Sequence, residues 1–353
     1  MLYLALFLSM AGVSVFSFVR EDGRAKVLGG ILFSFVFVYL VFFAGLRAPE
    51  IAPDYLNYVD WLHRVGGSLN SIISEFKDPG FLLTFSIVNW LGFPDFVFFC
   101  LIAFISLTAK YIFSRNVFLG FFTYLVFFLV FSRFYVVHDM VQVRVGAAIA
   151  LASCGLIFLF RGQLFKGLMF YLLGLSFHLS VIIFLPVIIL LFLGFRRLSR
   201  FHIALLLVGS FALSSLISGF SGQLSGIERL APYLNGEYQT SALSLLSFYV
   251  LIRIVLVLSV VTLFYNQLSD IEHFVLGMAV VGLSLQILLS WNDSFSLRTA
   301  ELFGMFDMAC FVMLMRFLDY RSKISYGFLL LVIAMVFYMS TLKVVDAYAS
   351  VLF

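Results

Sequence analysis

The residues of this sequence that are best suited to chemistry are concentrated between Ser132 and Ala150. The stretch reads SRFYVVHDMVQVRVGAAIA and lies between apolar segments that are long enough to cross a bilayer. A charged side chain at membrane depth costs about 2.5–3.5 kcal/mol, so such residues usually face a cavity, a partner or a substrate. Arg133 and Arg144 carry planar guanidinium groups, which bind two oxygens of an anion at once. The stretch therefore predicts part of an anion-binding site.

The composition indicates what kind of scaffold must position these residues. The chain has 353 residues, of which 63% are hydrophobic and 11% charged, whereas about 25% of the residues of a soluble domain are charged. Mean hydropathy is +1.12. Repeated apolar runs near the length of a bilayer crossing predict an all-α, polytopic integral membrane protein. The net charge of +4 is too small to indicate a nucleic-acid partner.

About twelve apolar segments predict transmembrane spans within one polytopic domain, residues 1–353. Residues 80–92 are apolar but too short to cross, and they predict a half-span or a re-entrant helix covered by protein. The pair at 164–177 and 179–195 is near the minimum length for crossing. The predicted spans are 2–19, 27–46, 95–113, 117–132, 140–160, 164–177, 179–195, 201–218, 246–265, 274–290, 300–317 and 325–342.

Lys and Arg in short loops predict the orientation, because cytoplasmic loops of membrane proteins are enriched in them. The basic loops, among them one that holds Lys110 and Arg115, share one face if both termini lie outside. Outer loops are then expected near 47–79 and 219–245, and shorter ones at 133–139, 178 and 291–299. Within 47–79, the aromatic residues Tyr55, Tyr58 and Trp61 predict a surface helix. The Gly- and Ser-rich stretch 218–226 predicts a mobile loop.

On this topology the polar side chains collect at the outward-facing ends of the helices. The cytoplasmic ends carry basic residues with few other distinctive groups. A diphosphate needs several fixed cationic donors, so this asymmetry predicts a diphosphate site on the extracytoplasmic side. The residues concerned are Arg47, Asp54, Asp78, Arg133, His138, Asp139, Gln142, Arg144, His178, Asp293, Arg298 and Glu301.

Several of the arginines also have a simpler interpretation. Arg144 could form a structural ion pair with Asp139, five residues earlier, or with another helix. Arg133 could extend to the membrane interface. Arg298 precedes Glu301 at a spacing that allows the two to pair along a helix. Arg253, within 246–265, could reach the same cavity.

The candidate bases have structural alternatives as well. His178 lies at the bend of a short helical pair and could accept a proton, hold a substrate hydroxyl or fill a structural role. Asp54 and Asp78 each adjoin a proline and could cap helices. No sequence pattern for a metal site or a nucleotide-binding loop is present, and the cysteines lack metal-ligand spacing. We therefore expect no metal and no cofactor.

Six short motifs occur in an order that resembles the EpsG family, a branch of the Wzy-type polysaccharide polymerases. Together they span about residues 40–300. In place of the adjacent Arg-Gln common in the family, this chain has Val141-Gln142-Val143-Arg144. The motifs are Gly45-Leu46-Arg47; Pro53-Asp54-Tyr55 with Tyr58; Asp78-Pro79-Gly80-Phe81; Gln142-Val143-Arg144 leading into Gly146 and Ala147; Phe177-His178-Leu179-Ser180; and a late Arg298.

The resemblance implies a fold similar to the membrane GT-C glycosyltransferases, in a bacterial inner membrane, with the active site facing the periplasm or exterior. It also implies polymerisation of undecaprenyl-diphosphate-linked repeat units into O-antigen or a similar surface polysaccharide. The partners would be a lipid-linked glycan donor and acceptor, the bilayer and possible chain-length regulators. A transporter or flippase of lipid-linked sugars is the alternative, and a non-catalytic scaffold is a third hypothesis.

For the polymerase hypothesis the candidate residues fall into three groups. The diphosphate would be bound by Arg144, Arg298, Arg47 and Arg133. The proton of the attacking hydroxyl would pass to His178, or alternatively to Asp139 or Asp54. The sugars would contact Asp78, Tyr55, Tyr58 and Gln142.

Overall fold

A computed structural model describes residues 1–19, 23–65, 71–72, 77–220 and 247–352. Within these ranges the regular elements are helices, with one isolated antiparallel bridge between Arg47 and Ser350. The prediction of an all-α chain is therefore confirmed for the described residues. The predicted outer loop near 219–245 lies outside them from residue 221 onward, and so does most of the Gly- and Ser-rich stretch 218–226. The predicted outer loop near 47–79 lies outside them at 66–70 and 73–76.

Fourteen α-helices are described in these ranges. The predicted surface helix is α3, and the predicted half-span is α4, whose twelve residues span about 18 Å at 1.5 Å per residue. The helices are α1 Leu2–Val19, α2 Gly23–Gly45, α3 Tyr55–Val65, α4 Pro79–Trp90, α5 Asp95–Val117, α6 Phe121–Phe134, α7 Val143–Phe160, α8 Leu164–Phe177, α9 Leu185–Phe192, α10 Arg200–Phe220, α11 Phe248–Ser259, α12 Asp270–Leu288, α13 Asp293–Met315 and α14 Tyr320–Thr341.

Among the described residues, seven helical segments are long and apolar enough to cross a membrane. Four further apolar helices are shorter than a full crossing. Their lengths and compositions indicate a multi-pass membrane protein, while the count of about twelve crossings stays a prediction. The seven segments are Val27–Gly45, Asp95–Val117, Phe121–Val141, Val143–Phe160, Phe248–Gln267, Asp270–Leu288 and Tyr320–Val344.

The contacts divide the chain into two compact units, which are described separately. The first comprises Met1–Phe192 with Tyr320–Phe353, and the second comprises Leu193–Asp319. In the first unit α7 is the central helix and packs against α5 and α8. The small residues of its Ala- and Gly-rich sequence let neighbouring helices approach closely. For example, the Cys154 thiol on α7 lies 2.9 Å from the Ala109 carbonyl oxygen on α5.

The second unit is built around α12 and α13, with α10 and α11 packed against them. A buried polar group joins three of these helices. The guanidinium of Arg253 on α11 pairs with Asp307 on α13, with Nε and Oδ2 2.9 Å apart, and donates to Gln286 on α12. The Arg253 side chain is engaged in this network, and its approach to the cavity of the other arginines stays a prediction.

The predicted outer loop at 133–139 is also wrong. Residues Tyr135–Val141 continue α6 as a π-helix, and all of them are buried. The chain then turns sharply at Gln142 and enters α7. A Cβ added to Gly146 would lie 2.3 Å from the His138 carbonyl oxygen. Glycine at position 146 is therefore required for α7 to pack against the π-helix. Short π-helical segments are often found at functional sites.

The prediction that Lys110 lies in a cytoplasmic loop is also wrong, because the residue is part of a helix. Lys110 lies inside α5 and is 1% exposed. Its Nζ is 2.5 Å from Oδ2 of Asp139, which lies in the π-helix and is 2% exposed. Two buried opposite charges thus fix the π-helix to α5.

Candidate functional site

The candidate site lies in the first unit and begins with an ion pair between two residues that the sequence singled out. The Arg144 Nη1 atom is 2.6 Å from Oδ2 of Asp78. Arg144 lies in the first turn of α7, and Asp78 immediately precedes α4. The Asp78 side chain is 5% exposed and that of Arg144 is 18% exposed. The alternative pairing of Arg144 with Asp139 is wrong, because Asp139 is paired with Lys110.

Asp78 adopts a backbone conformation that is uncommon for a side-chain-bearing residue. Its φ of 50° makes it the one non-glycine residue with positive φ in the described part of the chain. It precedes Pro79, but its side chain makes no capping hydrogen bond to α4, so the capping alternative is wrong. Left-handed backbone in a non-glycine residue costs about 1–3 kcal/mol and is found most often at functional sites. In this conformation the Asp78 carboxylate lies against Arg144.

The Asp78 carboxylate also joins a third segment to the site. The backbone N–H of Leu179 donates to it. Burial raises the pKa of Asp78, and the neighbouring Arg144 opposes that rise. Gly80 permits the close approach of α4 to α8, because a Cβ at this position would lie 2.2 Å from Oγ of Ser176 on α8. The Asp78, Arg144 and His178-Leu179 motifs, which are far apart in sequence, therefore meet in space.

The His178 imidazole has a defined orientation beside this contact. The backbone N–H of Ser180 donates to His178 Nδ1 over 3.0 Å. The Nδ1 lone pair is therefore occupied, and the proton of the neutral ring lies on Nε2. Such a histidine can donate a hydrogen bond from Nε2, and in this conformation it is less suited to accept a proton.

Helix α3 presents aromatic rings to two guanidinium groups. The ring of Tyr58 lies 5.5 Å from the Arg144 guanidinium carbon, and the ring of Trp61 lies 5.0 Å from it. Tyr55, one turn earlier, lies 5.1 Å from the guanidinium carbon of Arg47. All three aromatic rings are on the buried face of the helix. We call Arg47, Tyr55, Tyr58, Asp78 and Arg144 the two-arginine site.

Arg47 is the most enclosed residue of the two-arginine site. Its side chain is 0% exposed and lies 4.8 Å from the ring of Phe99. Its Nη1 donates to the Ala44 carbonyl, whereas Nε and Nη2 have no hydrogen-bond partner among the described residues. No described carboxylate lies within ion-pair distance of this guanidinium. Burial lowers the pKa of Arg47 to about 10, so it is still charged at neutral pH.

Replacing Arg47 with methionine is expected to stabilise the protein without ligand. A buried cation without an acidic partner carries a desolvation penalty on the order of several kcal/mol, which a neutral methionine of similar length does not carry. Thermal unfolding of purified wild type and Arg47→Met in the same detergent measures this directly. If the buried Arg47 charge destabilises the protein, the variant has the higher Tm. A lower Tm would show that the guanidinium stabilises the fold.

The structure also describes the other site residues that were predicted in the first unit. Asp54 is half-buried at the start of α3, and Gln142 is half-buried at the turn before α7. Arg133 packs over the rings of Phe134 and Phe337, with its guanidinium carbon 5.4 and 5.9 Å from their centroids. Asp139 is engaged with Lys110.

Arg298 belongs to the second unit. It lies in the second turn of α13 and is exposed. Its approach to Arg144 stays a prediction.

Two residues beside the two-arginine site are not among the binding residues predicted from the sequence. Trp61 was expected only to anchor a surface helix, and Lys77, whose Nζ lies 5.5 Å from the Trp61 ring, was not singled out. The spacing of Tyr55, Tyr58 and Trp61 on one helical face was a signal that could have found Trp61. Within the described ranges, no group of three or more His, Cys, Asp or Glu side chains could hold a metal ion.

The chain was also compared with known proteins. The model of the EpsG family matches residues 30–352, nearly the whole chain. No curated protein and no solved structure matches. The matched region contains all the motifs on which the resemblance rested, including Arg47, Asp78 and Arg144. The chain therefore belongs to the EpsG family.

Proposed function

We propose that this protein is a membrane glycosyltransferase that polymerises undecaprenyl-diphosphate-linked repeat units into O-antigen or a similar surface polysaccharide. Membership of the EpsG family supports a polysaccharide polymerase-like membrane protein. The observation that carries the proposal is the two-arginine site. Two guanidinium groups and one carboxylate lie around α3, so the cluster has an excess positive charge suited to an anionic group.

In the proposed reaction, a hydroxyl oxygen of one lipid-linked unit forms a bond to the anomeric carbon of the growing chain. The bond from that carbon to the diphosphate oxygen breaks, and undecaprenyl diphosphate leaves. Arg144 and Arg47 stabilise the charge that accumulates on the leaving diphosphate, and Arg298 and Arg133 are further candidates for this role. A single displacement inverts the anomeric configuration, and the guanidinium groups take the role that a metal ion fills in other transferases.

Aromatic and polar groups beside the arginines are placed to hold the sugars. Tyr58 and Trp61 present rings next to Arg144, and Tyr55, Asp78 and Gln142 remain candidates for hydroxyl contacts. The Nε2–H of His178 donates to a substrate oxygen in this proposal, because its Nδ1 is already an acceptor.

Asp54 is the favoured proton acceptor among the three candidates. Asp139 is buried in a pair with Lys110 and the Nδ1 lone pair of His178 is occupied, whereas Asp54 is partly accessible beside α3. Asp54→Asn is expected to lower the rate of chain extension by about 10²–10⁴-fold, the usual contribution of a general base. Single-turnover kinetics across a pH series measure it. An unchanged rate in the variant would exclude Asp54 as the base.

The proposal includes a GT-C-like bundle with about twelve spans in the bacterial inner membrane. The two-arginine site would face the periplasm or exterior, where the lipid-linked units are joined. The lipid-linked donor and acceptor are the substrates, and a chain-length regulator is a possible partner.

Incubation of purified protein with a defined lipid-linked repeat unit tests the proposal. We expect a ladder of longer glycans, formed equally in the presence of EDTA, with one undecaprenyl diphosphate released per bond. A flippase would move the unit across a vesicle membrane without forming a glycosidic bond. If the repeat unit crosses the vesicle membrane but is not extended, the polymerase proposal is wrong and the transporter alternative takes its place.

A further inference from the structure

The C-terminal segment of the chain, residues 345–352, runs across the segment that contains Arg47. The two form an antiparallel bridge in which Arg47 lies opposite Ser350. The Ala48 N–H donates to the Ala349 carbonyl over 3.0 Å, and the Val351 N–H donates to the Leu46 carbonyl over 2.9 Å. We call residues 345–352 the C-terminal strap.

Tyr348 fastens the middle of the strap to the first unit. Its ring stacks on Phe43, with the centroids 3.8 Å apart, and its hydroxyl donates to the Phe43 carbonyl over 3.0 Å. Tyr348 is near enough to Arg47 for the two to interact electrostatically. Most other strap residues are exposed or half-buried. Tyr3 adds two contacts, because its hydroxyl donates to the Asp346 carbonyl over 3.1 Å and its ring packs edge-on against Tyr348. The attachment therefore depends on a small number of hydrogen bonds and on the ring of Tyr348.

The strap covers a cation that has unused hydrogen-bonding capacity. Arg47 is completely buried, and its Nε and Nη2 have no partner among the described residues. Buried polar groups in proteins are nearly always hydrogen-bonded, and an exception needs an explanation such as a missing ligand. A diphosphate would supply acceptors for both nitrogen atoms, but it cannot reach them while Arg47 is fully enclosed.

We propose that the C-terminal strap is a gate over an anion-binding position at Arg47, and that its displacement lets the substrate diphosphate reach the guanidinium. This inference rests on the proposed function for the identity of the anion. The closed strap keeps Arg47 from binding unrelated anions. The open strap exposes the Arg47 guanidinium to the diphosphate, and Arg144 lies against aromatic rings of the same helix, α3.

A reversible cross-link tests the gate. Ala48 and Ala349 lie opposite each other in the bridge, where Cβ atoms are about 4.5–5.5 Å apart, close to the about 3.5–4.5 Å that a disulfide spans. Oxidised Ala48→Cys/Ala349→Cys protein is expected to lose chain extension by on the order of tenfold or more, because the strap can no longer open and such motions limit the turnover of many enzymes. Reduction should restore it. The two single-cysteine variants keep the native cysteines, and their rate of chain extension should not change on oxidation.

Accessibility of Arg47 gives a second readout that does not require catalysis. Phenylglyoxal modification of the Arg47-containing peptide, followed by mass spectrometry, should be slow in the cross-linked protein and faster after reduction. Tyr348→Ala should accelerate it further, whereas Tyr320→Ala, an exposed tyrosine outside the strap, should not. Equal modification rates in the oxidised and reduced forms would overturn the gate.

The two readouts separate the gate from the proposed function. If oxidised and reduced protein extend chains at the same rate, the gate is wrong and the polymerase proposal stands. If neither form extends chains but Arg47 is protected only by the cross-link, the gate stands and the proposed substrate is wrong.

Discussion

Arg144→Ala is expected to lower the rate of chain extension by about 10²–10³-fold, the usual effect of removing one group that stabilises developing negative charge. The guanidinium lies 2.6 Å from Asp78 and against the rings of Tyr58 and Trp61, so its position is fixed before substrate arrives. Arg144→Lys should retain part of the activity, because lysine supplies a point charge without the two-pronged geometry of arginine.

The same helix provides the matched control. Arg161 follows the last turn of α7, is exposed and donates to the Asn116 carbonyl. Arg161→Ala should extend chains at the wild-type rate, which separates loss of Arg144 from a general loss of positive charge. Rates are measured on protein that elutes as a single folded species in detergent. Wild-type extension by Arg144→Ala would remove Arg144 from the mechanism.

Lys110→Met is expected to destabilise the protein by about 3–5 kcal/mol, because it leaves the Asp139 carboxylate buried without its counter-ion. The two side chains are 2% and 0% exposed, so water cannot solvate the remaining charge. The double variant Lys110→Met/Asp139→Asn removes both charges and should recover most of the lost stability. Thermal unfolding of the wild type, both single variants and the double variant provides the complete cycle.

The double variant also distinguishes a structural Asp139 from a catalytic one. If the Lys110–Asp139 pair only fixes the π-helix to α5, the folded double variant should still extend chains. If Asp139 accepts the proton of the attacking hydroxyl, the double variant would be stable but inactive. The second outcome would restore Asp139 in place of Asp54 as the base.

The hypothesis of a common site requires that motifs distant in sequence approach one another in the first unit. Asp78, Arg144 and the residues around His178 occupy separate motifs, and the structure brings them into contact. The helical character of α3 and the shortness of α4 also followed from the sequence, because aromatic spacing and segment length are local properties. These features do not depend on which helix packs against which.

The sequence could not predict which charges pair. Asp139 lies five residues before Arg144, so local spacing favoured that pair, yet its partner is Lys110, 29 residues earlier on another helix. Arg253 is likewise paired with Asp307, 54 residues away. Such partners depend on helix packing, and sequence spacing carries no direct information about it.

The stretch 133–139 shows the same limitation for secondary structure. Its polar residues resemble a loop between two spans, but burial of Asp139 against Lys110 allows them to continue a helix inside the protein. Similarly, the sequence predicted Arg47 as a candidate binding residue but gave no indication that residues 345–352 pair with its segment. The covering segment is about 300 residues distant, and such long-range contacts are fixed by the tertiary fold.

The most direct test of the account is the binding of undecaprenyl diphosphate compared with undecaprenol, which has the same hydrocarbon chain but lacks the diphosphate. The wild type should bind the diphosphate much more tightly, and rising salt should weaken that preference because charges provide it. Arg144→Ala should lose most of the preference while its affinity for undecaprenol is unchanged. Equal affinities of the wild type for the two lipids would contradict the claim that these arginines form a diphosphate site.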